Sequence, residues 1–586
     1  MANSLRDIPG ANQPRRRFAS NRDVFVPPRS TILDLTPRGL GLERTRRSQF
    51  TPSRQIDAGR WALTIAVLAV AIWLGTSFWR ATRVEASLSG VTDGAQLTPA
   101  AAADLELELA MPSSDERFRA AVTVDGVEVT ESLEFRGDTL HLSPRELVES
   151  ELVETALDEG PHHIHVSVPR LFIGDAKFRW TYVVDGVAPE LHVLRSLDPV
   201  AIDARVTVTG DVEPDAELTF QGRPLDHDDG RFSVEFDHPP AGPLRFVATD
   251  AAGNRTTATS VVPVVYPTES RGVHVSAAAW GNDELRAGIL DLLDRDLIDT
   301  VELDLKDEGG VIGYDSQLAV AREVGAVKPE FDLADVVDTL EEHGARVIGR
   351  IVAFRDPIYA QHAWSEGHHD QVVQDPDGEM LGAYGGFTNY VHPDVRSYNL
   401  DIALEAVDAG VHDILWDYIR RPEGHPSTMV VPGLDGPSSV AVAEFLAESH
   451  EALRSRGAYQ GASVFGIAAV HGDSIAQDIP TMARVVDYLA PMIYPSHWGP
   501  GQFGVPSPVR DPYEITHRAL AEFQHVADGT GVRFVPWVQD FDLGGVAYGP
   551  AEVRAQITAA RELGMEGFLL WNAQVRYTPD ALDPIG

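Results

Sequence analysis

The chain has 586 residues, with 88 acidic and 48 basic side chains, a formal net charge of -40 and no cysteine. This length predicts several domains with separate cores. The strong negative charge argues against nucleic acid as a partner. The lack of cysteine excludes disulfide scaffolds, thiol nucleophiles and cysteine metal sites.

The first sixty residues form a net basic arm, with twelve arginines against five acidic residues. The arm is rich in Pro, Ser and Asn and shows no hydrophobic periodicity. Such a composition cannot bury enough apolar surface to fold. We therefore predict that residues 1–60 are disordered.

Residues 61–79 contain no charge and lie between Arg60 and Arg80. As a helix they would span about 28 Å, close to the hydrocarbon thickness of a bilayer. The arginine excess before them predicts a single-pass membrane protein with a cytoplasmic N-terminus and the bulk of the chain outside the cytoplasm. A signal peptide and a buried soluble helix are the alternatives, but the long basic lead-in favours an uncleaved anchor.

Two segments of short alternating runs follow the apolar stretch. Residues 84–186 predict a β-sandwich, with a hairpin turn at Asp125 and Gly126. Residues 187–266 predict a second sandwich, and the part from 213 to 254 resembles bacterial immunoglobulin-like modules. We expect the two domains to serve as spacers, with carbohydrate binding as the alternative.

From residue 270 to residue 586 the pattern alternates between apolar strands and amphipathic helices. This alternation predicts parallel strands with crossover helices, and eight such units predict a (β/α)8 TIM barrel. The fold class is therefore multidomain, a TIM barrel preceded by two β-sandwich (Ig-like) domains and one N-terminal transmembrane helix. The predicted strands are 272–276, 300–306, 346–352, 412–417, 462–467, 488–494, 533–538 and 567–571.

Charged side chains lie where two of these strands end. Asp417 ends the fourth strand, and Tyr418 and Arg420 follow it. In the second strand, period-two alternation directs Glu302, Asp304 and Lys306 into the barrel. Buried charges need partners, so we expect pairing with one another, with Arg350 of the third strand or with substrate. The acid and the lysine nearer the strand end are predicted to be functional, and the deeper Glu302 to be a structural partner of an arginine.

The last three strands end in aromatic and amide side chains. Aromatic faces bind the C–H surfaces of sugars, and amides bind the hydroxyls, so this rim predicts a carbohydrate site. The alternative is that the tryptophans cap the barrel core. The predicted substrate-binding residues here are Tyr494, His497, Trp498, Trp537, Gln539, Trp571 and Asn572.

Several blocks of this region resemble the glycoside hydrolase domain family of bacterial surface proteins, a barrel group distantly similar to the α-amylase superfamily. The resemblance covers residues 271–577, and the chain departs from it at Ile419-Arg420-Arg421. The blocks include Val301-Glu-Leu-Asp-Leu-Lys-Asp307, Ile414-Leu-Trp-Asp-Tyr-Ile-Arg-Arg-Pro422, Ala490-Pro-Met-Ile-Tyr-Pro-Ser-His497 and Pro536-Trp-Val-Gln-Asp-Phe541.

The resemblance implies a glycoside hydrolase that cleaves a cell-envelope or extracellular polysaccharide with two carboxylates. It makes Asp417 the candidate nucleophile. Asp540 would then stabilise charge or act as the acid, with Asp304 as the alternative partner, and Arg350 would keep the nucleophile ionised. No cofactor or metal is expected.

Two other functions stay open at this point. One is a barrel that binds glycan without cleaving it and attaches the protein to the cell wall. The other is a metal-dependent hydrolase that would use His274, Asp304 and His497, although no close pair of histidines lies on the barrel strands. The expected partners are a polysaccharide and, through the N-terminal helix, a membrane.

Overall fold

A computed structural model provides the structure of the chain. It describes residues 58–81, 83–89, 91–110, 120–132, 134–136, 139–170, 174–194, 197–267, 269–543 and 545–585. Of the predicted basic arm, residues 1–57 lie outside the described residues.

Helix α1 spans Ala58–Ala81. Its described side chains are mostly exposed, and they include large apolar groups such as Leu68 and Trp73. In the part of the chain that the structure describes, no helix is long and apolar enough to cross a membrane. The membrane segment predicted for residues 61–79 is therefore not confirmed.

The next domain consists of two antiparallel sheets with one shared core. One sheet has the strand order β1-β3-β7-β6, and the other has the order β2-β9-β8-β4-β5, in which β2 is parallel to β9. Alternate residues of β8, among them Ile164, Val166 and Val168, are buried between the sheets. The elements are β1 Glu85–Leu88, β2 Ala95–Leu97, α2 Pro99–Ala103, β3 Leu107–Ala110, β4 Ala121–Val124, β5 Val127–Glu128, β6 Glu134–Arg136, β7 Thr139–Leu142, α3 Pro144–Glu149, β8 Gly160–Val168 and β9 Ala176–Val184.

A second, smaller two-sheet domain follows. Its sheets have the strand orders β10-β11-β14 and β13-β12-β15-β16, and Phe232 of one sheet packs on Phe246 of the other. Both domains have the two-sheet architecture expected from the alternating runs, whereas the immunoglobulin-like relationship stays a prediction. The strands are β10 Leu191–Val193, β11 Val206–Val212, β12 Glu217–Phe220, β13 Arg223–Pro224, β14 Arg231–Phe236, β15 Leu244–Thr249 and β16 Arg255–Ser260.

The C-terminal domain is a closed parallel barrel. Within the described residues, eight parallel strands form a ring in the order β17-β18-β21-β22-β23-β24-β26-β27, and β27 pairs with β17 to close it. Strands β19 and β20 extend from β18 outside the ring, and β25 pairs with β24. The strands are β17 Arg271–Val275, β18 Thr300–Lys306, β19 Ile312–Tyr314, β20 Val327–Phe331, β21 Arg346–Val352, β22 Asp413–Asp417, β23 Tyr459–Phe465, β24 Tyr488–Met492, β25 Arg533–Phe534, β26 Trp537–Gln539 and β27 Phe568–Trp571.

Amphipathic helices pack around the barrel. In α7, for example, Val336, Val337 and Leu340 are buried at helical spacing. The Asp332 side chain caps its N-terminus by accepting the backbone N–H of Asp335. The helices are α4 Ala277–Trp280, α5 Asp283–Asp294, α6 Ala319–Glu323, α7 Leu333–Glu342, α8 Pro357–Ser365, α9 Pro393–Asp408, α10 Ser438–Arg454, α11 Ala468–His471, α12 Ile479–Met482, α13 Pro512–Val526 and α14 Pro550–Glu562.

One barrel strand breaks the regular alternation. The register between β18 and β21 shifts after Asp304. Lys306 therefore pairs with Ile351, whereas a regular ladder would pair it with Val352. This bulge turns Lys306 away from the barrel interior. Its ammonium group donates to Asp356 at 3.0 Å and to Asn399 of α9 at 2.7 Å. The structure therefore does not place Lys306 in the barrel interior, where the predicted contact with substrate would require it.

Candidate active site

A cavity of about 460 Å³ opens at the carboxyl ends of the barrel strands. This is the face on which TIM-barrel enzymes place their active sites. Eight of the predicted site residues line the cavity, together with six residues that were not predicted. The lining residues are Glu308, Arg350, Asp417, Tyr418, Phe465, Gly466, Ile467, Met492, Tyr494, His497, Trp498, Gln502, Trp537 and Trp571.

Arg350 of β21 is the centre of the polar part of the site, and it is 1% exposed. Its Nη1 donates to Asp304 at 2.6 Å, and its Nε donates to Asp417 at 3.0 Å. Its Nη2 donates to both Asp417 and Glu308. Glu302 is a longer-range neighbour, 3.8 Å from Nε. A single guanidinium therefore holds three carboxylates by hydrogen bonds and has a fourth close by.

Asp417 is the last residue of β22, and three N–H groups fix its carboxylate. Two belong to Arg350, and the third is the backbone N–H of Tyr418, 2.6 Å away. Tyr418 has a φ of 46°, in the left-handed region that is unfavourable for a residue with a Cβ. The chain thus turns sharply as it leaves the strand, and this turn brings both side chains to the cavity.

Glu308 is the acid that the sequence prediction missed. It follows β18 in the loop that begins Asp307-Glu308-Gly309, and its side chain is 32% exposed. Burial alone would raise its pKa, but the charge and hydrogen bond of Arg350 outweigh burial and lower that pKa from 4.5 to about 2. The available signal was an acid placed two residues beyond the end of a barrel strand.

Below Arg350 lies a fully buried acid-base cluster. His274 Nδ1 and Glu302 Oε2 share a hydrogen bond of 2.6 Å, and His274 Nε2 is 3.7 Å from Asp304. Burial raises the pKa of Glu302 to about 6 and also raises the pKa of Asp304. Burial lowers the pKa of His274, but the charges of the two acids overcome this and raise it. Glu302 is the arginine partner expected from the sequence, and it also pairs with a histidine.

The residues that could hold a metal in this region are His274, Glu302 and Asp304, whose ligand atoms lie within 4.8 Å of one another. Arg350 already provides the cation for this group, because its Nη1 contacts Asp304. The predicted metal set that included His497 is not brought together, since His497 instead packs against the ring of Tyr494 at 5.1 Å. The three residues predicted for a metal-dependent hydrolase therefore do not form one metal-binding group among the described residues.

The site contains more acid than base. Glu302, Asp304, Glu308 and Asp417 surround Arg350, and His274 is the second base of the group. The raised pKa values of the buried acids favour retention of a proton within the cluster. Such an excess of carboxylates favours a positively charged species in the cavity, as in an oxocarbenium-like transition state.

Aromatic side chains form the remaining walls. Trp571 stacks on the His274 ring at 4.0 Å, and its ring lies 5.4 Å from the Arg350 guanidinium. Trp537 meets Trp571 nearly at right angles and donates its indole N–H to Ser463. Trp537 is only 1% exposed, so it combines core packing with a face on the cavity. Trp537 thus has both roles that were considered for the tryptophans: it packs in the core, and it lines the cavity.

Asp540 and Asn572 do not line the cavity. Both oxygens of Asp540 accept hydrogen bonds from Thr578, from its backbone N–H at 2.8 Å and its hydroxyl at 2.6 Å. The Asn572 amide donates to the backbone carbonyls of Asp540 and Arg576. The structure therefore does not bring Asp540 and Asn572 into the cavity as their predicted catalytic and sugar-binding roles require, because loop contacts occupy both side chains.

Gln539 and Arg420 are also structural. The Gln539 side chain accepts from the N–H of Ser496 and donates to the carbonyl of Phe541, and it is fully buried. Arg420 is fully buried as well and pairs with Glu423 at 3.0 Å. Neither residue lines the cavity, although both were predicted to contact the substrate. Their polar groups instead fix the loops that shape it.

The fold and the site together define a (β/α)8 barrel protein with an acidic, aromatic cavity at the carboxyl ends of its strands. A family model described as "Putative glycosyl hydrolase domain" matches residues 272–577, more than half of the chain, and the chain belongs to this family. A comparison with curated proteins finds no match.

Three solved structures to which the chain is similar can be described by identity, coverage and TM-score. A hypothetical protein from Ruminiclostridium thermocellum is 29% identical over 32% of this chain and 96% of its own, with a TM-score of 0.29. The PgaB (BpsB) glycoside hydrolase domain from Bordetella bronchiseptica is 14% identical over 53% and 95%, with a TM-score of 0.39. The glycoside hydrolase domain of PelA from Pseudomonas aeruginosa is 15% identical over 53% and 97%, with a TM-score of 0.32.

Proposed function

We propose that the barrel hydrolyses glycosidic bonds of a cell-envelope or extracellular polysaccharide and that Asp417 and Glu308 are its paired carboxylates. One observation carries the proposal. Both carboxylates accept a hydrogen bond from the same Arg350 nitrogen, inside a cavity with aromatic walls. Glycoside hydrolases need two carboxylates on either side of the scissile bond, and aromatic faces bind sugar rings.

The shared nitrogen also limits the distance between the two carboxylates. Two oxygens at hydrogen-bond distance from one donor are less than about 6 Å apart. Retaining enzymes separate their carboxyl groups by about 5 Å, and inverting enzymes by about 6.5 to 9.5 Å. We therefore propose a retaining reaction in which Asp417 attacks the anomeric carbon, because three N–H donors hold its carboxylate in one orientation.

In this reaction Glu308 protonates the leaving oxygen and later removes a proton from the attacking water. Arg350 keeps the pKa of Glu308 near 2, so the carboxylate carries no proton at neutral pH before substrate binds. The proposal therefore requires that substrate binding moves Glu308 just far enough to weaken its bond to Arg350, so that the separation of the two carboxylates stays in the retaining range. Glu308 lies in a loop and is partly exposed, which makes such a movement cheaper for it than for the fully buried arginine.

The direct test is the release of reducing ends from a panel of bacterial envelope and exopolysaccharides by the full chain. The wild-type protein and Asp417→Asn are compared, with Asp540→Asn as the matched control at another strand end. We expect release by the wild type and the control only. No release from any polysaccharide, with glycan binding retained, would contradict the hydrolase proposal.

The second candidate function is glycan binding without cleavage. The observation that favours it is the ionised state of Glu308, because a cavity whose accessible acid is held by an arginine lacks a ready proton donor. A binding protein would retain glycan equally well after Asp417→Asn and release no reducing ends. The same assay therefore separates the two functions.

We also propose that α1 anchors the protein in a membrane, with the basic arm in the cytoplasm and the bulk of the chain outside. Two observations support it: residues 61–79 contain no charge, and Leu68 and Trp73 are 55% and 66% exposed. Apolar surface of this extent is unfavourable in water. We expect the full chain to stay with membranes after salt and alkaline washes and Leu68→Arg to be released more easily. The control is Val320→Arg, at an exposed valine of the barrel domain.

A further inference from the structure

Arg355 lies three residues beyond β21 and flanks the cavity. Its Nη1 donates to the Tyr418 hydroxyl at 2.7 Å. Its guanidinium carbon is 4.9 Å from the centre of the Tyr418 ring and 4.6 Å from that of Tyr384. The two rings are 6.1 Å apart and inclined at 78°. The guanidinium therefore lies in the corner between two aromatic rings.

Arg355 differs from the other two arginines of the site in its charge partners. Arg350 holds several carboxylates, and Arg420 pairs with one. In contrast, no carboxylate among the described residues lies at salt-bridge distance from Arg355. Its Nε is buried and has no acceptor in the described structure. The Arg355 side chain is partly exposed, and its Nη2 also has no acceptor among the described residues, so this nitrogen can bind an additional partner.

The local charge favours an anion as this partner. Arg420 lies over the same Tyr418 ring, at 4.7 Å, and its own partner is Glu423. Glu423 also accepts the hydroxyl of Tyr384, so its carboxylate is already used. Glu423 thus pairs with Arg420 alone, and the charge of Arg355 stays without a carboxylate partner among the described residues. Glu308 and Asp417, the other nearby acids, are held by Arg350.

Both tyrosines have an unfavourable backbone conformation. Tyr384 has a φ of 58° and Tyr418 a φ of 46°, in the region that L side chains rarely adopt. Strained residues of this kind cluster at ligand sites, where the surrounding structure holds them in place. Tyr418 lines the cavity, and the neighbouring Tyr384 is 38% exposed.

We infer that Arg355, Tyr384 and Tyr418 form a subsite for the carboxylate of an acidic sugar. The substrate class would then be a polysaccharide that contains uronate or another carboxylate-bearing unit. A guanidinium presents paired N–H groups that match a carboxylate, and the rings of the two tyrosines provide faces for the sugar C–H groups. The inference rests on the proposed function, because it assigns a substrate class to the same cavity.

The test compares the binding of glucuronate and glucose to the full chain by calorimetric titration at low salt. These two sugars differ only in the carboxylate at C6. The variants are Arg355→Gln, which removes the charge, and Arg355→Lys, which keeps the charge without the planar fork. The matched control is Arg484→Gln, at an exposed arginine with no ion pair in the described structure. Thermal unfolding of each variant verifies its fold.

We expect the wild type to bind glucuronate about tenfold more tightly than glucose, with a preference that falls as salt is added. Arg355→Gln should abolish the preference, Arg355→Lys should reduce it, and Arg484→Gln should keep it. Equal binding of the two sugars, failure of both to bind, or a preference that persists in Arg355→Gln would overturn the inference.

The measurement also separates the inference from the proposed function, because binding requires no bond cleavage. A preference for glucuronate without release of reducing ends from any polysaccharide would contradict the hydrolase and support the acidic subsite. Release of reducing ends without this preference would support the hydrolase and contradict the subsite.

Discussion

Two arginines of one strand, Arg346 and Arg350, hold the two ends of the barrel in different ways. Arg346 lies at the amino end of β21, and its Nε donates to Asp413 at 2.8 Å. The Tyr266 hydroxyl donates to the same carboxylate at 3.1 Å, and the Tyr459 ring lies 4.6 Å from the guanidinium. At this end of the barrel, the charge of Arg346 is thus balanced by one carboxylate, and two aromatic side chains pack beside the pair.

Arg350, four residues later, contacts three carboxylates instead of one. A balanced buried pair needs nothing further, whereas unbalanced acids keep a tendency to bind a proton or a cation. The comparison therefore assigns stability to the amino end and chemistry to the carboxyl end, which is the general division in TIM barrels.

The largest expected effect is that of Glu308→Gln, which removes the acid from the unbalanced end. We expect kcat to fall by about 10² to 10⁴, the usual contribution of a general acid. A glycoside with a dinitrophenyl leaving group, which needs no protonation, should be cleaved at a rate much closer to that of the wild type. Similar losses on natural and activated substrates would contradict the role of Glu308 as acid.

A comparison of the two arginines should separate activity from stability. Arg350→Gln should lower kcat/KM by about 10² to 10³, because both reacting carboxylates lose the donor that orients them. Arg346→Gln should lower the free energy of unfolding by about 3 to 5 kcal/mol, since it leaves a buried acid without its partner. Urea unfolding and the activity of each folded variant provide the two readouts.

The activity per folded molecule of the two arginine variants decides whether the two ends of the barrel have different roles. Arg346→Gln should retain most of it and Arg350→Gln should not. If both variants lost activity equally per folded molecule, the division between the two ends of the barrel would be wrong.

The third prediction concerns the dependence of stability on pH. The pKa of Glu308 is lowered from 4.5 to about 2 in the folded protein, so its contribution to stability is present above pH 4.5 and is lost as the pH falls toward 2. Glu308→Gln should therefore be less stable than the wild type at pH 6 and equally stable near pH 2. Glu366→Gln, at an exposed position, should show no such difference. A constant difference between wild type and Glu308→Gln would contradict the pairing with Arg350.

The smallest expected effect is that of Asp540→Asn. Both oxygens of Asp540 are bonded to Thr578, so the substitution should cost about 1 kcal/mol of stability and change kcat/KM by less than about threefold. Denaturant unfolding and initial rates test these values. A large loss of activity in a stable variant would restore Asp540 to the catalytic set.

The sequence was sufficient for the barrel because its evidence is local and repeated. Each strand is a buried apolar run, and each helix repeats its apolar residues at helical spacing. Small shifts remain: the fifth strand was predicted at 462–467 and is Tyr459–Phe465. Strand-end position and residue type were also enough to predict Asp417, Arg350 and the cavity tryptophans, since the ends of parallel strands converge on one face.

The failures have physical causes that no local pattern contains. Period-two alternation assumes a regular ladder, and the bulge after Asp304 turned Lys306 to the helix layer. Asp540 is bonded to Thr578, thirty-eight residues further on, and no local spacing predicts that contact. Glu308 was missed because the direction of a loop side chain depends on the arginine that holds it. These causes are tertiary contacts. They affect the roles of individual side chains more strongly than they affect the fold.

We propose above all that the unbalanced carboxylates at the carboxyl end of the barrel cleave glycosidic bonds. Release of reducing ends by the full chain and by Asp417→Asn, with unfolding curves for both, tests it most directly. We expect release by the wild type and a loss of about 10³-fold or more in the stably folded variant. Release that is unchanged in Asp417→Asn, or no release by either protein from any polysaccharide tested, would contradict it.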